Sequence, residues 1–546
     1  MAKHIIYQLL PRLFTNYNES RIHNGSIEEN GCGKFNFITD KALRSIQRLG
    51  VTHIWYTGIL EHATQTDYSR FGIATDNPSI VKGKAGSPYA VKDYYDVDPD
   101  LAEDVPHRME EFEALVERTH ARGLKVIIDF VANHVAREYK SDNLPAGEED
   151  LGAGDNPQWA FSPLNNFYYI PQTLQIGSYT EFPARATGND CFHAYPNEND
   201  WYETVKLNYG VFYQGGGEKQ FLPIPKTWHQ MLNILKFWCA KGIDAFRCDM
   251  AEMVPVEFWK WAIKKIKDQY PQTEFLAEVY NPYNYRDYLY QAGFDYLYDK
   301  VGMYDYLRGV VSKSFSAEGI SNQWQATDDI REHMLYFLEN HDEQRIASGF
   351  FCGGGAYAEP AMIVAATLGT NPLMIYSGQE LGEKGMDIEG FSGMNGRTTI
   401  FDYWGVRSIQ AWANHGKFDG ARLSNDQKEL RNFYSTLLNL CTKEKAVKQG
   451  KMYDLQYAQA DYYNKREQYC FLRKEGKDTL LVIVNFADRP VDLHVIIPQD
   501  ARDYLCMPLT DFDAVDLLSG EHYPASTDHV DIHIEAWKGK ILKFKC

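Results

Sequence analysis

Residues 228–249 read WHQMLNILKFWCAKGIDAFRCD, and the reading of this stretch decides the fold. Apolar residues recur at helical spacing over Trp228–Lys241, Gly242 offers the left-handed stop that a helix C-terminus needs, and Asp244–Cys248 then reads as a buried strand. Asp249 follows where that strand ends. The same unit recurs outward in both directions. Strands are expected over Ile5–Leu10, His53–Thr57, Lys125–Val131, Asp244–Cys248, Glu274–Val279, Phe294–Leu297, Met334–Leu338 and Pro372–Tyr376. Helices over Lys41–Leu49 and Met109–Arg122 stop at Gly50 and Gly123 in the same way. Eight strand–helix units predict an α/β fold in the form of a (β/α)8 TIM barrel rather than an open sheet.

Between Asn133 and Trp228 the rhythm breaks: about 90 residues rich in Gly, Asn, Pro and aromatics are too many for an ordinary loop. They predict a subdomain inserted after the third strand and standing over the C-terminal mouth of the barrel. Beyond a helix at Asp426–Cys441, period-two alternation takes over at Gln468–Arg473, Thr479–Asn485, Val491–Ile497 and Ile541–Phe544. That pattern predicts a C-terminal antiparallel β-sandwich domain. The expected division is 1–134 with 226–445 for the barrel, 135–225 for the insert and 446–546 for the C-terminal domain.

Composition narrows the function classes. A formal charge of −18, from 56 basic and 74 acidic side chains, argues against nucleic acid or an anionic membrane as partner and suits a neutral substrate. No apolar run reaches the roughly 18 residues of a membrane span, and MAKHIIYQLLPRLF at the N-terminus lacks the form of a signal peptide. The nine Cys are scattered without metal or disulfide spacing. Together these lead to the expectation of a cytoplasmic protein with free thiols.

In a barrel of this kind chemistry sits at the C-terminal ends of strands. Four such ends are polar: Asp129-Phe-Val-Ala-Asn133-His134, Phe246-Arg247-Cys-Asp249, Ala277-Glu278-Val279 and Glu339-Asn340-His341-Asp342. A lone carboxylate there is ordinarily a cap, but Asp249, Glu278 and Asp342 with Arg247, His134 and His341 at one mouth form a constellation. These segments, DFVANH, GIDAFRCD, FLAEV and ENHD, resemble in order and spacing the four signature regions of glycoside hydrolase family 13, the α-amylase family. SPYAVKDYYDVDP (87–99), LNY (207–209) and PLMIYSGQELG (372–382) extend the resemblance over essentially the whole chain.

The resemblance implies a role for each residue. Asp249 would be the nucleophile, Glu278 the acid/base, and Asp342 the carboxylate that binds the distorted sugar and favours its cationic transition state. Cleavage with retention needs the attacking and protonating carboxyls about 5–5.5 Å apart, which adjacent strand ends provide. Arg247, two residues before Asp249 and on the same strand face, would keep it ionised. His134 and His341 would donate to hydroxyls, and Tyr89 would offer a stacking platform. Asp129 reads as structural. An aromatic content of 14%, with 37 Tyr and 11 Trp, suits the apolar faces of sugar rings.

Two departures from the family pattern bear on metal and specificity. Many members hold calcium where Asn133 meets an aspartate of the insert; here the matching position is Lys206, and an ammonium cannot ligate a hard cation. SIEENGCGKF (26–35) is similar to a second calcium loop, with Ser26 and Lys34 where carboxylates stand. No metal or other cofactor is therefore expected, with Lys206 and Lys34 supplying positive charge internally. Endo-acting amylases carry Lys-His three and four residues after the nucleophile, against Glu252-Met253 here, so Met253 is the expected contact to a differently recognised leaving group. The resulting expectation is a retaining α-glycoside hydrolase on α-1,4-linked glucans or malto-oligosaccharides. A transglycosylase or isomerising transferase is the alternative, and a catalytically silent glucan-binding or interaction protein the remote one.

Overall fold

The structure is a computed structural model of the 546-residue chain and describes residues 3–197, 199–460, 463–507 and 512–545. Eight parallel strands close into a barrel: β1 (Ile5–Leu9), β2 (His53–Tyr56), β3 (Lys125–Val131), β4 (Ala245–Asp249), β5 (Glu274–Ala277), β6 (Tyr296–Tyr298), β7 (Met334–Phe337) and β8 (Leu373–Tyr376). Closure is made by β1, which places Ile5 opposite Leu373 on one side and Ile6 opposite His53 on the other. These strands are almost wholly buried because both faces are covered, the inner by the packed lumen and the outer by helices.

The helices that cover them follow from their apolar stripes. α1 (Asp40–Gln47), α2 (Arg108–Ala121), α3 (Lys226–Ala240) and α4 (Val256–Gln269) follow β1 to β4 in turn, α3 after the insert. In α3 the buried Trp228, Met231, Leu232, Leu235 and Trp238 fall at three- and four-residue steps on one face. The expected stops hold: Gly50, Gly123 and Gly242 have φ of 97°, 69° and 85°, which a side chain would strain.

Two local differences from the sequence expectation have visible causes. β6 begins at Tyr296 rather than Phe294, because the Asp295 carboxylate accepts the Phe275 N–H at 2.8 Å and pairs with Lys267 at 2.6 Å. Residues 294 and 295 thus tie strand and helix together before the ladder starts. After β2 an unexpected antiparallel pair, Leu60–His62 with Val91–Val97, rises with a shifted register and carries Tyr89 to the mouth.

The insert leaves the barrel just beyond β3. His134–Ala136 pairs with Thr204–Lys206, setting His134 opposite Lys206, and short two-stranded ribbons surround a small core that includes Tyr168, Ile170 and Leu174. The C-terminal region is an antiparallel six-stranded sheet with a two-stranded ribbon, Val491–Ile496 and His529–Ile534, against one face. Alternation explains its place: Leu481 and Ile483 point to the ribbon core, while Leu480, Val482 and Val484 join the main core that includes the barrel. Among the described residues no helix is long and apolar enough to cross a membrane.

Candidate active site

The mouth is organised around one cation. Arg247, on β4 and fully buried, places Nη1 2.6 Å from Asp249 Oδ1, Nη2 2.7 Å from Glu278 Oε2, and Nη1 3.6 Å from Asp129. Its guanidinium lies among the rings of Trp55, Tyr89 and Tyr298 at 5.3–5.5 Å, which replace its water with aromatic faces. Strand geometry makes this grip possible. Residues 247 and 249 share a face of β4, and β5 ends at Ala277, leaving Glu278 at the next strand's rim.

Glu278 is aimed from two further sides. Met250 sits at φ 43°, a strained conformation for a side-chain-bearing residue, and its N–H donates to Glu278 Oε2 at 2.8 Å. Tyr280 donates its hydroxyl to the other oxygen. Glu252, in the turn after Asp249, accepts the backbone N–H groups of Tyr280 and Asn281 at 3.2 and 3.1 Å and so fixes the loop that carries Tyr280.

Burial sets the protonation of the cluster. It raises the pKa of Asp249, opposed chiefly by Arg247; it raises that of Glu278, with the Asp249 charge adding to the effect. Asp342 is pushed up to about 8 by burial and then by Glu278, although its side chain is 43% exposed. Its exposed part lines the cavity. Asp129 rises to about 6 through burial, against the pull of Arg247. It accepts hydrogen bonds from Trp55, Gly58 and Tyr89, holding the loop after β2 as well as facing the arginine.

The imidazoles are neutral donors or acceptors. His134 is pushed down to about 3 by burial, then by the Lys206 charge. Lys206 donates to Asn133 Oδ1 at 2.8 Å, which turns the Asn133 amide nitrogen toward His134 Nδ1 at 3.1 Å. His134 therefore carries its proton on Nε2, which faces Asp249 Oδ2 at 3.9 Å. His341 meets Gln8 through Nδ1 at 2.7 Å, and through Nε2 meets Tyr89 Oη at 2.6 Å and Asp342 Oδ2 at 3.1 Å. Tyr89 stacks on the His341 ring at 5.2 Å centroid separation, so one of its faces is already occupied by protein.

Asp249, Glu278, Asp342, Tyr89, His134 and His341 all line one cavity of about 350 Å3, with Arg247 beneath it. Met253 does not line it; half-buried, it presents its carbonyl to Tyr213, while Met250 takes a place in the wall. Residues that the sequence reading missed complete the enclosure: Trp201 and Glu203 from the insert, Lys82, Tyr280, and Ile400 with Phe401 from the segment after β8. Lys82 pairs with Glu203 at 2.9 Å, and Trp201 lies 5.2 Å from the His134 ring. Their positions in long loops give no periodic signal.

At the two positions similar to calcium loops, lysines take the central place. The buried Lys206 Nζ bridges Asn133 at 2.8 Å and Asp190 at 2.6 Å. Lys34 Nζ donates to the Asp100 carbonyl at 2.6 Å, and Ser26 caps a short helix with Glu29 in a reciprocal capping box. These donor sets do not fit calcium.

Comparison with known proteins agrees with this architecture. The chain belongs to the α-amylase family, glycoside hydrolase family 13, since residues 8–402 match the family model for the alpha amylase catalytic domain. It is 24% identical over 478 residues to alpha-amylase 3 of Dictyoglomus thermophilum, covering 82% of this chain and 79% of that protein. It is also 24% identical over 399 residues to neopullulanase 2 of Thermoactinomyces vulgaris, covering 70% and 57%. The chain spans under half of a third relative, alpha-amylase MalA of Haloarcula japonica, at 42% of its length. A maltogenic alpha-amylase of Thermotoga neapolitana has the same fold, with a TM-score of 0.64, 18% identity and coverage of 100% and 99%. Family membership makes the chain a glycoside hydrolase or a related glycosyl-transferring enzyme.

Proposed function

We propose that the chain is a retaining α-glycoside hydrolase acting on α-1,4-linked malto-oligosaccharides. The observation that carries this is the grip of one guanidinium on Asp249 and Glu278 at 2.6 and 2.7 Å, at the floor of a cavity that Asp342 shares. Two carboxyls held by opposite nitrogens of one arginine cannot stand far apart, which supports the close pair of about 5–5.5 Å that covalent catalysis needs. Asp249 attacks the anomeric carbon and Glu278 gives a proton to the leaving oxygen. Water activated by Glu278 then releases the sugar from Asp249. Asp342 and the Nε2–H of His134 hold hydroxyls of the same ring. Tyr89, its ring set against His341 and Arg247, lines the cavity beside the sugar.

A transfer reading has its own support. Trp201, Glu203, Ile400 and Phe401 crowd the mouth, so an acceptor sugar held there would compete with water for the glycosyl-enzyme. Maltotriose incubated with the chain and followed by proton NMR tests both: fresh α-anomeric glucose and maltose are expected. Initial β-anomers overturn retention, and longer oligomers or trehalose overturn hydrolysis in favour of transfer.

We also propose that the Lys206 ammonium does the work of a calcium ion between Asn133 and Asp190. Added calcium is expected to leave the wild-type Tm unchanged, while Lys206→Asp, which offers an oxygen ligand, is expected to make Tm rise with added calcium. A wild-type Tm that rises with added calcium as the variant's does contradicts the assignment.

A further inference from the structure

The opposite end of the barrel carries a cluster that the reaction does not use. His4 directly precedes β1, His53 is the first residue of β2 and Glu274 the first of β5. β1 and β2 are neighbours, whereas β5 lies across the closed sheet, so the three side chains meet under the lumen. His4 Nε2 stands 3.3 Å from Glu274 Oε1, and His53 Nε2 stands 3.7 Å from Oε2. One ligand atom from each residue lies within 4.8 Å of the other two.

A hydroxyl stands behind each imidazole ring. Thr52 Oγ1 accepts the Ile5 N–H at 2.9 Å and gives its own proton to the Ile5 carbonyl at 3.2 Å. The same oxygen lies 2.7 Å from His53 Nδ1. Nε2 is buried without a hydrogen-bond partner, in a residue only 4% exposed. His4 Nδ1 lies 3.2 Å from the Tyr296 hydroxyl, and its Nε2 faces the carboxylate.

Lys125 contributes charge to the neighbourhood, yet no hydrogen bond from it reaches His53 Nε2. Two imidazoles backed by hydroxyls, with one carboxylate, are the donor set of a borderline transition metal, and the rear hydrogen bonds are the usual supports of metal-bound histidine. The imidazole nitrogens stand 3.3 and 3.7 Å from the two oxygens of the one carboxylate, close to the edge of about 3.4 Å in a tetrahedron with bonds of about 2.0–2.2 Å. Glu274 is 23% exposed and His4 18%, so an ion and a fourth, water ligand can enter from solvent.

We propose that His4, His53 and Glu274 bind one divalent transition metal ion, zinc by donor chemistry, which ties β1 and β2 to β5 across the floor of the barrel. The site is structural: it acts at the face where barrels keep their stability rather than their chemistry.

The test uses the full chain without a polyhistidine tag. Titrated with Co2+, it is expected to develop the visible absorption of a tetrahedral site, and Zn2+ is expected to raise Tm by about 3 °C or more while Ca2+ does not. His53→Gln and Glu274→Gln are each expected to weaken Co2+ binding about a hundredfold. His494→Gln, in the exposed His494–His529–Asp531 group of the C-terminal region, is expected to leave the floor-site spectrum unchanged. No cobalt spectrum in the native chain overturns the proposal, and so does a Tm that responds equally to Ca2+ and Zn2+. A spectrum lost in His494→Gln but kept in His53→Gln overturns it as well.

Discussion

The two ends of the barrel hold similar ingredients on strand ends, carboxylates and histidines, and compensate their charge in opposite ways. At the mouth Arg247, enclosed by Trp55, Tyr89 and Tyr298, meets Asp249 and Glu278 through its two terminal nitrogens. The histidines there are neutral and serve as fixed hydrogen-bonding groups. At the floor Glu274 faces two imidazoles, and the group is partly open to solvent. The difference teaches that the mouth is arranged to retain charge in a dry place, at a cost in stability, whereas the floor can gain stability by accepting a cation. Variants at the mouth should therefore separate activity from stability.

The largest effect is expected from Asp249→Asn. The change is isosteric and removes a buried charge, so kcat/KM should fall about 10^4-fold while Tm stays within a degree or two. Thermal melting and maltotriose turnover measured on one sample check both halves. Retained turnover would remove Asp249 from the nucleophile's place. Arg247→Lys should cost less activity and more stability, about 10^2-fold and about 3 kcal/mol, because one ammonium cannot meet two carboxylates and leaves one of them buried unpaired. Urea unfolding measures the second figure. A lysine variant as stable as wild type would mean that the carboxylates share a proton and do not depend on the fork.

Much of this contrast was legible in the chain, and the limits of that legibility are physical. A strand buried on both faces must be a run of β-branched and aromatic residues, and a polar residue that ends such a run is unusual enough to be noticed, which is how Asp249, Glu278 and Asp342 stood out. Gly50, Gly123 and Gly242 mark helix ends because only glycine takes a positive φ there cheaply. The walls of the cavity had no such mark. Trp201, Glu203 and Phe401 arrive on long loops whose course depends on tertiary packing, so their spacing from Asp249 says nothing of their distance from it. Gln8 was read simply as part of β1, although its side chain turns to His341. The floor cluster was overlooked for the same kind of reason: His4, His53 and Glu274 open three strands, and only closure of the sheet brings them together.

Tyr89 sharpens the comparison at moderate size. Its hydroxyl touches Asp129 at 3.2 Å and His341 at 2.6 Å, while its ring stacks on His341 and faces Arg247. Tyr89→Phe keeps the ring and loses the hydrogen bonds, which should lower kcat/KM about tenfold, in line with roughly 1–1.5 kcal/mol for a buried hydrogen bond. Tyr89→Ala should lose about tenfold more. Equal values for the two variants would assign the whole effect to the hydroxyl and none to the ring.

The smallest effect concerns pH. Burial and Glu278 raise the Asp342 pKa from the ordinary 3.8 to about 8. Between those values the folded chain keeps a proton that the unfolded chain has released, so this group's contribution is fully present below pH 3.8 and is lost as pH climbs through 8. Asp342→Asn has no such proton to lose. Relative to wild type, the variant should gain Tm steadily from pH 5 to pH 8. Because the carboxylate is 43% exposed toward the cavity, solvent screening keeps the gain to about 1–2 °C. Glu61, away from the mouth and raised to about 9, titrates in the same direction in both proteins and cancels in the difference. A Tm difference that stays constant from pH 5 to pH 8 would mean that Asp342 is ionised throughout, with Arg247 holding three charges at the mouth instead of two.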